Sequence, residues 1–184
     1  MRFIDPRQDR WHRVEGEDGP IPHPDPQADR LLTLEQWHVV RDSWPRGLAT
    51  GVLLPNTLDV DTLADDLCGP HSRLSLVVLQ FPKWTDGRAY SQARLLRVRH
   101  RFDGEVRAVG EVLVDMLPLL QRTGFDAVQL RRDQSVEAAV RALGFFPGHY
   151  QGDVLQPHPA FARDVATEVA APRHGGELFA GQGI

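Results

Sequence analysis

Short apolar runs and stretches of helical periodicity take turns through the middle of the chain. Gly51–Pro55 (GVLLP), Leu74–Phe81 (LSLVVLQF), Glu105–Gly110 (EVRAVG) and Gly124–Leu130 (GFDAVQL) each predict a strand. Leu74–Phe81 gives the strongest signal, with β-branched residues at its middle and Pro70 and Pro82 at its limits. Helices are expected between them. Leu58, Val60, Leu63 and Leu67 are spaced for one, with Asp59 or Asp61 as its cap. Arg88–Arg101 predicts a second, and Val112–Arg122 a third that carries an awkward Pro118. Ser135–Leu143 predicts a fourth, with Asp133 as N-cap and Gly144 just past its end. An earlier helix starts at the capping box Thr33-Leu34-Glu35-Gln36, runs to about Asp42, and stops at Pro45 and Gly47.

Strand–helix units in series with short links imply parallel strands and right-handed crossovers. Four units cannot close an eight-stranded barrel. The expected fold is therefore α/β, an open parallel sheet of about four strands over residues 31–150. Residues 1–30 read as a short hairpin (Phe3, Ile4 and Trp11–Val14) followed by a proline-rich loop. Residues 151–184 read as a loosely packed tail or arm, with one more helix at Pro159–Ala171.

With 184 residues, 41% hydrophobic and 25% charged, the chain has the composition of one globular domain. It contains no apolar run of membrane-spanning length and no signal-peptide pattern at its start, so a cytoplasmic location is expected. A single cysteine, Cys68, excludes an internal disulfide and any cysteine-built metal site. A net charge of −4 argues against nucleic acid as a partner. Twenty basic residues are arginine and one, Lys83, is lysine, which reads either as chance within an arginine-rich composition or as a place for a compact ammonium.

Lys83 falls in the loop after the strongest strand, Phe81-Pro82-Lys83-Trp84-Thr85-Asp86-Gly87-Arg88, where parallel sheets keep their ligands. On the helix that follows, Tyr90, Arg94, Arg97 and Arg101 form one stripe. Ala89, Ala93 and Leu96 form a second flank, and Leu95, Val98 and Phe102 a third, so cover from both sides is expected. Arginines held in this way suit an oxyanion, with Asp86 orienting the loop and Tyr90 donating a hydrogen bond. The candidate ligand-binding residues are thus Lys83, Thr85, Asp86, Arg88, Tyr90, Arg94, Arg97 and Arg107. The competing reading is that these arginines pair with Glu105, Glu111, Asp115 or Asp126 and staple the fold. Glu111 and Asp115, beside Arg122, are a weaker acid/base candidate. His71, His100, His149 and His158 have neither metal-ligand spacing nor a carboxylate at helical distance, and no metal is expected. Nucleotide-loop, nucleophile-elbow and zincin motifs are absent.

The phrases FPKWTDGRAYSQARLLR, GEVRAVGEVLVDML and RTGFDAV resemble the bacterial family called domain of unknown function 934, over roughly Leu31–Tyr150. That family carries FPxFTDGRxYSxARxLR, GExRAxGxVxxD and a CGFD. Here Trp84 replaces the usual phenylalanine, Thr123 stands where cysteine is common, and Pro118 is atypical. The resemblance implies a link to assimilatory sulfite reduction. The function expected from it is an accessory protein that binds a small oxyanion or a redox partner, sulfite reductase. Two alternatives stand beside it: an oxidoreductase with a noncovalent flavin or nicotinamide, and a pure protein-interaction module. Self-association into a homo-oligomer is also expected.

Overall fold

The computed structural model describes residues 1–67, 72–145 and 149–162. Its main feature is a seven-stranded, open and curled parallel sheet, three strands more than expected. The strands are β1 (Arg2–Phe3), β2 (His12–Arg13), β5 (Arg30–Thr33), β6 (Thr50–Leu54), β7 (Leu76–Phe81), β8 (Glu105–Gly110) and β9 (Ala127–Val128). Their order across the sheet is β1-β9-β8-β7-β6-β5-β2, and every neighbouring pair is parallel. A separate antiparallel pair joins β3 (Glu15–Gly16) and β4 (Gly19–Pro20).

From β5 onward, helices link the successive strands of the sheet. Helix α1 (Leu34–Val40) starts at the expected capping box, with both reciprocal bonds between Thr33 and Gln36 in place. A 3₁₀ turn at Val60–Leu63, capped by Asp59, leads into the short α2 (Ala64–Leu67). Helix α3 (Arg88–Val98) ends earlier than the periodicity suggests, and Arg101 lies beyond it with φ of 51°. Before α4 (Leu117–Thr123) runs a 3₁₀ turn, Val114–Met116. Pro118 falls in the first turn of α4, where its missing N–H removes no helical bond. Helix α5 (Val136–Gly144) is capped by Ser135, whose hydroxyl accepts from the Ala138 N–H at 3.1 Å. Asp133, expected in that role, instead forms a two-bond pair with Arg131 at 2.6 and 2.7 Å.

A consecutive strand order puts these helices on one face of the sheet. Trp37, Ala93, Leu96, Leu117 and Leu120 pack there against Leu32, Val52, Leu79, Val106 and Val128. The helix-free face has its own smaller core of Leu31, Leu76, Val78 and Val109, closed by Trp11. Trp11 belongs to the segment expected to form a hairpin with Phe3 and Ile4. That hairpin does not exist. β1 lies at one edge of the sheet and β2 at the other, so residues 4–11 cross the helix-free face as a strap.

Nine residue steps from Phe3 to His12 reach about 30 Å when extended. Six interstrand steps of about 4.8 Å would separate those edges by about 29 Å in a flat sheet. The strap also contains a turn, in which the Gln8 N–H donates to the Asp5 carbonyl at 3.0 Å, so it is not fully extended. The sheet therefore has to curl toward the strap. Residues 163–171, in the helix expected at Pro159–Ala171, lie outside the described residues, as do Cys68 and His71; a 3₁₀ turn occupies Ala160–Ala162.

Candidate functional site

The loop after β7 stands at the carboxyl end of the sheet, between the loop after β6 and the end of β8. Its shape comes from one acidic residue. Asp86 accepts from the Arg88 Nε at 2.9 Å and Nη2 at 2.6 Å, and from the Arg88 backbone N–H at 3.3 Å. The guanidinium beside it holds the Asp86 carboxyl well below the usual carboxylate range, with the Asn56 amide contributing to the same end. The Arg88 guanidinium is pushed up in turn. Gly87 is the N-cap of α3 and offers no side-chain bond, so Asp86 supplies the negative charge at the helix start.

Two buried residues that sequence reasoning did not single out lie beside this loop. Asn56, buried at the end of β6, faces Asp86. Gln92, buried on the inner side of α3, donates through Nε2 to the carbonyls of Pro55 at 3.0 Å and Leu58 at 2.8 Å. The signal for them was present in the Pro55-Asn56 strand end and in the YSQAR part of the family phrase. Tyr90 is half-buried with its ring edge-on to Phe81, 5.2 Å between centroids. Burial, with a smaller contribution from the charge of Asp115, pushes its phenol above the ordinary value.

The eight candidate residues do not converge. Lys83, Thr85 and Arg88 are exposed on the loop and the first turn of α3. Arg94 is exposed on the outer face of the same helix. Arg97 sits near the far end of α3, at the amino ends of β8 and β9. It donates to the carbonyls of Gly124 (3.0 Å), Phe102 (2.5 Å) and Gly104 (2.8 Å) and pairs with Asp126. Arg107 is on the helix-free face, buried and paired with Asp9 and Glu105.

The helix itself is covered on one side. Ala89, Gln92, Ala93 and Leu96 are buried, whereas Leu95 is 36% and Val98 58% exposed, contrary to the cover expected on both flanks.

The weaker candidates take other positions. Glu111 lies beyond the end of β8, not on a helix with Asp115, and accepts from Arg131 at 2.8 Å. Arg122 faces Asp153 at 3.7 Å. Two histidines do have carboxylates: His100 at 2.8 Å from Asp61 through the fold, and His149 at 2.5 Å from Asp153, four residues on. No described helix is long and apolar enough to cross a membrane.

No curated protein matches the chain. A family profile described as bacterial protein of unknown function (DUF934) matches residues 51–161, a span that holds α3, β8 and the whole loop after β7. With more than half of its length matched, the chain belongs to that family.

Proposed function

We propose that this protein is an accessory component of assimilatory sulfite reduction that docks an acidic surface of a redox partner, sulfite reductase, through the loop 82–88 and the outer face of α3. The observation that carries the reading is the way the loop uses its own charges. The Asp86 carboxylate fills both the Arg88 fork and the start of α3, so a small oxyanion would have to displace it. Lys83 and Arg94, by contrast, are exposed and make no ion pair among the described residues. They stand with Trp84, 56% exposed, and with Leu95 and Val98. An aromatic anchor, aliphatic neighbours and unspent cations form the composition of a protein-docking surface for an acidic partner. The sulfite-reduction setting is supported by the resemblance of FPKWTDGRAYSQARLLR to the family phrase.

The test is titration of purified sulfite reductase with the full chain at low and moderate salt. A complex is expected that weakens with salt and loses about tenfold in affinity on Trp84→Ala or Lys83→Ala. No complex at either salt concentration overturns the docking reading. A thermal shift by sulfite, sulfate or phosphate that Arg88→Ala abolishes would return the site to a small oxyanion.

A further inference from the structure

At the carboxyl ends of β1 and β9 the described residues form a groove of about 960 Å³, open to solvent. The start of the strap makes one wall and residues 129–136 make the other. This is the end of a parallel sheet at which loops and helix starts meet ligands. The volume fits a drug-sized molecule and far exceeds an inorganic ion.

The walls are mixed in a definite way. Phe3, Leu130 and Val136 supply apolar surface, and Arg7, Arg131 and Arg132 supply charge. The three arginines are not equivalent. Arg131 is engaged by Asp133 at 2.6 and 2.7 Å and by Glu111 at 2.8 Å. That pairing draws Asp133 down to about 2, so Arg131 serves as the fixed rim of the groove. Arg7 and Arg132 are exposed, and their guanidinium groups make no ion pair among the described residues. Asp5, the acid in the lining, is turned to the Arg7 backbone N–H at 2.9 Å.

We infer that this groove binds a small organic anion, with an apolar ring between Phe3, Leu130 and Val136 and a phosphate-type head on Arg7 and Arg132. Two guanidinium groups suit a head with several oxygens. The site is independent of the loop 82–88, with which its lining shares no residue.

The probe is 2-naphthyl phosphate, followed by its fluorescence on the full chain, with 2-naphthol and inorganic phosphate as the body and the head alone. The phosphate ester should bind at least about tenfold more tightly than either fragment. Combining Arg7→Ala with Arg132→Ala should weaken it roughly ten- to a hundredfold, the loss expected for charge-assisted contacts, and leave 2-naphthol unchanged. Both residues are exposed and unpaired through their side chains, so the double variant should keep the wild-type unfolding midpoint. Arg88→Ala and Lys83→Ala should leave the affinity untouched, which separates this site from the docking surface. Absence of binding, equal affinity in the double variant, or loss caused by Arg88→Ala would each overturn the inference.

Discussion

Asp86 and Arg88 are two residues apart, and each satisfies the other before any ligand arrives. An aspartate whose folded pKa is depressed stabilises the folded loop at every pH above its unfolded value of about 4. That contribution is lost as pH falls from about 4 through the lowered folded value. The Asp86 carboxyl carbon resonance should therefore stay fixed between about pH 7 and 4, and should titrate near 4 in Arg88→Ala. Titration near 4 in the wild-type protein would count against the pairing. Arg97 behaves differently, because its fork is spent on three carbonyls and Asp126. Arg97→Ala leaves the three carbonyls without that donor, while Asp126 keeps the Val106 N–H, and should cost about 2–4 kcal/mol in chemical denaturation, with Arg97→Lys recovering only part. Both arginines fall in the expected helix Arg88–Arg101, and residue type alone cannot separate them. The difference lies in what the fold brings opposite each: a neighbour in the chain for Arg88, and loops up to 29 residues away for Arg97.

Among the elements, the long periodic segments were legible and the short ones were not. β8 has the limits its alternation predicts, and α1 starts at the capping box that names it. β9 lies inside the strand expected at Gly124–Leu130, although only Ala127–Val128 pair; β1 and β2 are two residues each, too short to show any period, and their places are set by the sheet edge they extend. β5 was hidden for another reason: Arg30–Thr33 runs directly into the capping box of α1, so its apolar pair reads as helix onset. For Gln92 the segment was marked by YSQAR but the partners were not, since the Pro55 and Leu58 carbonyls it bonds come from the loop after another strand. Element geometry also fixes one glycine. Gly110 ends β8 with φ of +98°, and a Cβ there would lie 2.4 Å from the Phe81 carbonyl oxygen. That same oxygen accepts from the Glu111 N–H at 2.9 Å, so Gly110→Ala would disturb the end of β7, where the docking loop begins. The expected cost is about 2–4 kcal/mol. Gly47→Ala is the control, left-handed at φ +92° with nothing within 4 Å, and should cost about 1 kcal/mol. Equal effects in thermal unfolding would mean that the close approach at Phe81 contributes nothing.

For the molecule as a whole, the question is what keeps the strap across the helix-free face. Two anchors are visible. Trp11 is 5% exposed and closes the small core on Leu31, Leu76 and Val78. Arg107 projects from β8 onto the same face with its side chain 4% exposed, and it pairs with Asp9 of the strap and Glu105 of its own strand. Removing one partner of a buried pair leaves an uncompensated charge, and that penalty exceeds the net worth of the pair itself. Asp9→Ala should thus cost about 2–4 kcal/mol, with Glu105 providing partial relief. Arg107→Met removes the buried charge and fills its place with apolar volume. Its effect should be smaller, because Glu105 keeps Arg2 and Asp9 is free to turn to solvent. The decisive variant combines the two changes. With no cation left to strand, it should be more stable than Asp9→Ala alone, giving a coupling energy of about 1 kcal/mol or more. Strict additivity in urea denaturation would mean that the ion pair does not hold the strap and that Trp11 does. In that case Trp11→Ala, expected to cost about 3–5 kcal/mol for a buried indole, should release residues 1–14 to proteolysis while Asp9→Ala does not.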